Sequence, residues 1–400
     1  MSIINMGSRR DLLQAGLFFA TAGAAMSTLP KRVFAQTSKP IRIGWFAGLS
    51  GPVAAGGLAQ DAGTKAAVEE LNKAGGVLGR MIELVIRDTV GDPGKAMNFA
   101  QELLFREKVD VLFGPTGSAE TFPVRDVSKE AGTVQFTTAQ IDSVIDAKAY
   151  PNLFRLDGST GNQLDYGLGY ALNTLKRSKI ALLVDNLSYG LLSRDLAVAN
   201  MKARGVAPAY VGVVDQNKVD MGADILNARA SGADLMLTFT ASSGFMARIL
   251  TAHGEQKWDV PVIAAPLSLS ATVNDLVKPE YLGSVMGLGY RHLSLGSDGK
   301  FNPAVEKLIT DHADYILPQV KNGLSWAILG YSTTKLWAQA AIAAGSTESK
   351  SVIGALEGMS DVPTTFGRIS LSPTRHDGLP LDEFALFRAD SQRHGGYTAV

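Results

Sequence analysis

Four hundred residues carry 38 Lys and Arg against 38 Asp and Glu, a formal net charge of zero, which withholds the basic face that nucleic-acid binding needs. No cysteine is present, so thiol catalysis, iron–sulfur ligation and disulfide staples are excluded and stability has to come from burial. A chain of this length exceeds one ordinary hydrophobic core, and two domains are expected.

In chain order, Ser8-Arg9-Arg10-Asp11-Leu12-Leu13 is a twin-arginine pattern, followed by an apolar, small-residue run over 15–26 and Val33-Phe34-Ala35 ahead of Gln36. A positive start, a short apolar middle and a small-x-small finish predict a cleavable export signal over 1–35. A membrane anchor would need about 20 apolar residues, and this run is shorter and rich in Gly and Ala. No Cys stands at the junction to carry a lipid, so a soluble periplasmic protein is expected, exported by the twin-arginine route. The segment holds four bases (Arg9, Arg10, Lys31, Arg32) against Asp11, so the remainder is net −3.

Apolar strand-length runs then alternate with helical patterns, the signature of parallel sheets covered on both faces. Strands are expected over 41–46, 82–87, 109–113 and 134–136, with helices over 60–74, 94–107 and 119–131. A second series begins near Gly158, with helix 161–175, strand 179–184, helix 189–204, strand 209–214, helix 222–231, strand 235–239 and helix 244–254. After a strand over 285–289 the pattern turns helical over 303–317 and 324–344, and a final strand is expected near 384–388. The stretch Phe154-Arg155-Leu156-Asp157 is too regular for a flexible tether and predicts a strand-like crossover. The fold class is α/β.

The Leu49-Ser50-Gly51-Pro52-Val53-Ala54 turn, the segment from Leu71-Asn72-Lys73 through Gly75-Gly76-Val77-Leu78-Gly79, and Arg87-Asp88 with Gly91-Asp92-Pro93 resemble the leucine/isoleucine/valine-binding family of periplasmic solute receptors. The resemblance extends over most of the chain after residue 40. It implies two doubly wound Rossmann-like lobes joined by a three-strand hinge, the type I periplasmic binding protein architecture. Residues 40–157 with 288–375 would form one lobe, and 158–287 with 376–400 the other. It also implies a monomer that closes on a small solute and delivers it to ABC permease subunits in the inner membrane.

The loop after the third strand, Gly114-Pro115-Thr116-Gly117-Ser118, leads into a helix whose free N–H groups favour an anion. By residue type alone Ser118 reads first as an N-cap serving its own helix; by the resemblance it holds a ligand carboxylate. One step later, Ala139 and Ile141 match positions that bind the carboxylate, with Ile141 where a threonine is usual, leaving Thr137 or Thr138 to compensate. Gly56 stands where the amino-acid receptors often carry a large aromatic, and Leu267 is the nearest match to the acid that pairs with a ligand ammonium. A buried ammonium without a counter-charge costs several kcal/mol, so an aromatic or branched organic acid is expected in place of an α-amino acid, unless Asp165 or Asp185 supplies the acid. Tyr189, opening a helix with Gly190, and Thr240 complete the expected ligand contacts. Trp45, Phe46, Phe239 and Phe245 are cleft or core.

Motifs for chemistry are missing. His253, His292, His312, His376 and His394 have no metal-ligand spacing, there is no G-x-S-x-G elbow, and no phosphate loop or G-x-G-x-x-G follows the first strand. The adjacent carboxylates of Glu69 and Glu70 point apart on a helix and are expected to be solvated. No cofactor, metal or nucleic-acid partner is expected. The alternatives are an exported sensor domain for a membrane kinase or a cleft enzyme such as an amidase or lyase.

Overall fold

The computed structural model describes residues 39–389 and 397–400, and the expected export signal lies outside the described residues. The first series forms β1 (Ile41–Ala47), α1 (Ala54–Lys73), β2 (Ile82–Asp88), α2 (Pro93–Gln101), β3 (Val111–Phe113), α3 (Ser118–Ala131), β4 (Gln135–Thr137) and β5 (Leu153–Arg155). All five strands are parallel and lie in the order β2-β1-β3-β4-β5. The second series forms α4 (Thr160–Asn173), β6 (Ile180–Asp185), α5 (Ser188–Ala203), β7 (Tyr210–Val214), α6 (Gly222–Ala230), β8 (Leu235–Phe239), α7 (Ser243–Glu255), β9 (Val262–Ala264) and β10 (Val285–Tyr290). It repeats the first order as β7-β6-β8-β9-β10.

Beyond β10 come α8 (Pro303–Asp311), α9 (Val320–Ala344), α10 (Ser349–Glu357) and a small antiparallel pair, β11 (Val362–Thr364) with β12 (Gly367–Ile369). The chain then returns as β13 (Phe384–Ala389), antiparallel to β10, and β14 (Tyr397–Ala399) on the sheet edge. Each sheet has its own apolar core. Leu308, Leu324 and Trp337 from the late helices join Ile41, Val111 and Phe113 in one, while Leu182, Leu237, Phe245 and Ile263 lie in the other. These are two doubly wound α/β lobes, and the chain passes between them three times.

Several elements depart from the sequence expectation for physical reasons. Helix α1 starts six residues early, taking in Gly56 and Gly57. Those glycines are helix-weakening, but α1 lies against α9 so closely that a β-carbon on Gly63 would collide with the Ala327 carbonyl, and one on Gly330 with the Gln60 carbonyl. Tertiary packing outweighs propensity there. The expected helix over 94–107 divides into α2 and a π-helical turn over Glu102–Arg106. The expected crossover at 154–157 begins as β5, a fully buried edge strand of the first sheet.

The boundary expected at 287/288 falls inside β10, which stays in the second sheet through Tyr290. His376 and Asp377, placed with the second lobe from sequence, pack on the first sheet: His376 stacks on Phe154 at 4.0 Å and Asp377 bridges to Arg155. Glu70 is not merely solvated. It accepts from Tyr331 Oη at 2.5 Å and Lys335 Nζ at 2.8 Å and meets His312 Nε2 at 3.3 Å, tying α1 to α9. Burial opposes its charge, yet those partners hold it down at about 2.

Candidate ligand-binding site

In both sheets the strand order reverses at the first strand, and sheets of this kind place ligands outside the carboxyl ends of strands at that switch point. The two sets of loops share one cavity of about 180 Å³. The first sheet contributes Val53 and Gly56 after β1, Gly91 after β2, Thr116 to Glu120 after β3, and Thr138 and Gln140 after β4. The second contributes Leu187 to Tyr189 after β6, Thr240 and Ala241 after β8, and Ala265 to Leu267 after β9. Gln60 from α1 and Trp326 from α9 complete the wall. An engineered apolar cavity of about 150 Å³ takes up benzene, so this one suits a single ring or a branched chain with one polar end.

Gly114 has φ +106°, and a β-carbon there would strike the Phe46 carbonyl, so only glycine lets the loop after β3 fold back over β1. That turn delivers Ser118 as the first residue of α3, with Gly117 as N-cap. The Ser118 hydroxyl does not serve its own helix. Its Oγ accepts from the Ile141 N–H at 3.3 Å across the loop, leaving its proton free to donate into the cavity.

Six of the eight residues expected from sequence line the cavity: Gly56, Ser118, Thr138, Tyr189, Thr240 and Leu267. Ala139 and Ile141 do not. Both are buried in a small apolar cluster. The Ala139 N–H donates to Thr137 Oγ1 at 3.1 Å, and the Ile141 N–H is taken by Ser118. Their carbonyls are also engaged, each accepting from Arg155 Nη1, at 2.7 and 3.2 Å. Thr240 gives its hydroxyl to Asp185. Thr138 donates to Gln60 Oε1 at 3.1 Å. Trp45, Phe46, Phe239 and Phe245 are core.

Sequence reasoning missed Gln60, Glu120, Gln140 and Trp326. Trp326 supplies the aromatic wall that Gly56 lacks, since its indole carbons lie 3.7 Å from where a β-carbon on Gly56 would stand. Gln140 joins the two halves: its Oε1 accepts from Tyr189 Oη at 3.1 Å, and its Nε2 donates to Asp157 Oδ2 at 2.8 Å. Asp157 also accepts from Tyr290 Oη at 2.6 Å. Burial pushes Asp157 up to about 6 against those hydrogen bonds, and burial pushes the Tyr189 phenol up to about 12.

Charge is nearly absent from the wall. Among the described residues no Lys, Arg or His lines the cavity, and Glu120 is its one carboxylic acid. Burial above all holds Glu120 over the usual carboxylate range, while the Thr89 hydroxyl and the Gly117 N–H bond its two oxygens. Neither substitute acid reaches the wall. Asp165 pairs with Arg204 on the surface, and Asp185, also raised by burial, is occupied by Thr240 and the Leu187 N–H.

The family model described as periplasmic binding protein matches residues 40–394. The chain belongs to that family. Among curated relatives, the Leu/Ile/Val-binding protein homolog 3 of Brucella melitensis is 26% identical over 384 residues, 95% of this chain and 97% of that one. Among solved structures, the branched-chain amino acid transporter substrate-binding protein LivJ of Streptococcus pneumoniae, in complex with isoleucine, superposes with a TM-score of 0.75 at 19% identity, covering 90% of this chain and 99% of that one. A solute-binding protein of an ABC transporter from Rhodopseudomonas palustris, in complex with p-hydroxybenzoic acid, superposes with a TM-score of 0.76 at 19% identity, covering 90% and 96%. At these identities the two structures speak for the fold.

Proposed function

We propose that this periplasmic binding protein is the receptor of an ABC importer, exported by way of its first 35 residues, and that it captures an aromatic or branched organic acid lacking an ammonium group. The observation that carries the reading is the wall itself: the free Ser118 hydroxyl and the start of α3 offer hydrogen-bond donors to a carboxylate, and no unoccupied acid faces them. Leu267 stands where the resemblance would put an acid, and Arg155 already fills the Ala139 carbonyl. An ammonium there would be buried without a counter-charge, at a cost of several kcal/mol.

Residues 40–157 with the late helices act as one lobe and 158–290 with β13 and β14 as the other. A solute touching both biases the pair toward closure, which the permease subunits read. Among the described residues Ser118 has no His or Lys beside it on the wall, which favours a receptor over a hydrolytic enzyme. A second reading, a hydrophobic α-amino acid, draws on Glu120 as an ammonium partner and on the names of the curated relatives. Calorimetric titration with benzoate, 4-hydroxybenzoate, leucine and short amides separates the two. Tight leucine binding without response to the acids overturns the first.

A further inference from the structure

Among the described residues of the wall, one buried side-chain polar atom has no partner. Gln60 is 1% exposed, lines the cavity, and its Nε2 makes no hydrogen bond to any described residue. A buried amide left so costs about 1–3 kcal/mol, and such a group in a cavity calls for a ligand atom to complete it.

Three features keep the nitrogen aimed inward. The Thr138 hydroxyl donates to Gln60 Oε1 at 3.1 Å, which fixes the orientation of the amide. Close packing at Gly63 and Gly330 seats α1 on α9, so the backbone beneath Gln60 has no room to withdraw. Thr138 lies three residues before Ile141, whose N–H bonds Ser118, so the amide and the Ser118 hydroxyl belong to the same first-sheet wall. The N–H groups of Ala139 and Ile141 are already used. The wall therefore carries a hydroxyl donor at Ser118 and an amide donor at Gln60.

We propose that Gln60 is a specificity-determining ligand residue: its amide nitrogen donates to one oxygen of the solute's carboxylate and Ser118 to the other. Thr138 is then a positioning residue and not a ligand contact. The assignment rests on the carboxylate reading above. It predicts selection for a group that only accepts hydrogen bonds at this wall. A primary amide has one acceptor oxygen where the carboxylate has two, so it sets an N–H₂ donor against one of the two wall donors and binds more weakly.

The test is calorimetric titration of the full mature chain with benzoate, benzamide and leucine, for wild type, Gln60→Leu, Gln60→Glu and Thr138→Val, with the melting temperature of each unliganded variant as a control. Gln60→Leu is expected to weaken whichever carboxylate binds by about 10- to 100-fold, the range for one hydrogen bond to a charged group. Gln60→Glu weakens it further through like-charge repulsion, and Thr138→Val weakens it by several-fold because the amide is freed to turn. Unchanged affinity in a folded Gln60→Leu overturns the assignment, as does a wild type that prefers benzamide to benzoate. Should both Gln60 variants fail to fold, Thr138→Val decides: affinity equal to wild type overturns it. If wild type binds leucine but not benzoate, the organic-acid reading fails while Gln60 is still judged on the leucine carboxylate. If wild type binds none of the three, both fail.

Discussion

Gly56 offers the sharpest test of where a ligand sits, because two substitutions at one position should part stability from binding. A β-carbon there lies 3.7 Å from the Trp326 indole, ordinary van der Waals contact, and residue 56 is in the first turn of α1. Gly56→Ala removes helix-opposing backbone freedom without a clash, so it should stabilise the protein by up to about 1 kcal/mol, raising the melting temperature by roughly 2 °C. Its affinity for a bound acid should stay within about threefold. Gly56→Trp sends a second indole toward Trp326 into a cavity of about 180 Å³, leaving little room for a ring-sized solute. Binding should fall by at least about 100-fold, or roughly 3 kcal/mol, with the fold retained. Differential scanning fluorimetry reads the first quantity and calorimetry the second. A folded Gly56→Trp that binds as tightly as wild type would refute the argument, since the ligand would then lie elsewhere.

Leu267→Glu places a carboxylate on the second-sheet side of the cavity; benzoate affinity should drop at least about tenfold by like-charge repulsion and the ratio of leucine to benzoate affinity should rise, and calorimetry showing neither change would count against the account of the missing acid. Two buried groups pull the pH response in opposite directions. Burial lowers His253 to about 4, below its unfolded value of about 6.5, so the unfolded chain binds the extra proton and stability is lost as pH falls from about 6.5 toward 4. Asp157 is raised to about 6, so the folded chain holds its proton first and stability is gained as pH falls from about 6 toward 4. Removing the first group with His253→Phe should shift the stability difference between pH 5 and pH 7 toward pH 5 by roughly 2 kcal/mol, measured by urea unfolding at both values; identical pH dependence in variant and wild type would contradict it.

How much was legible from residues alone depended on the range of the interactions involved. Periodicity and apolar runs placed β1, β2, β6, β8 and β10 and most helices to within a few residues, because a strand buried on both faces or a helix with one apolar stripe carries its pattern locally. Errors arose where a distant segment decided. The first six residues of α1 fall outside the expected helix because Gly56 and Gly57 lower its propensity, and only packing against distant segments, the Gly48 carbonyl at Gly57 and Trp326 of α9 at Gly56, makes small residues fit there. Strand β5 read as a strand-like crossover between the lobes, and only its pairing with β4 assigns it to the first sheet. At the site, Ser118 was visible as a hydroxyl in a Gly-rich loop before a helix. Gln60 and Trp326 were not, since a polar residue mid-helix and an aromatic in an apolar helix are unremarkable until α1 and α9 bring them to one wall.

By itself, then, the sequence determined an α/β chain without cysteine chemistry, its alternation of strands and helices, and the loop that presents Ser118. Tertiary structure alone decided which donors remain for a ligand. Hydrogen bonds between residues far apart in the chain, such as Arg155 to the Ala139 carbonyl and Thr138 to Gln60, use up some groups and leave others unpaired, and no local pattern encodes which buried partner arrives first.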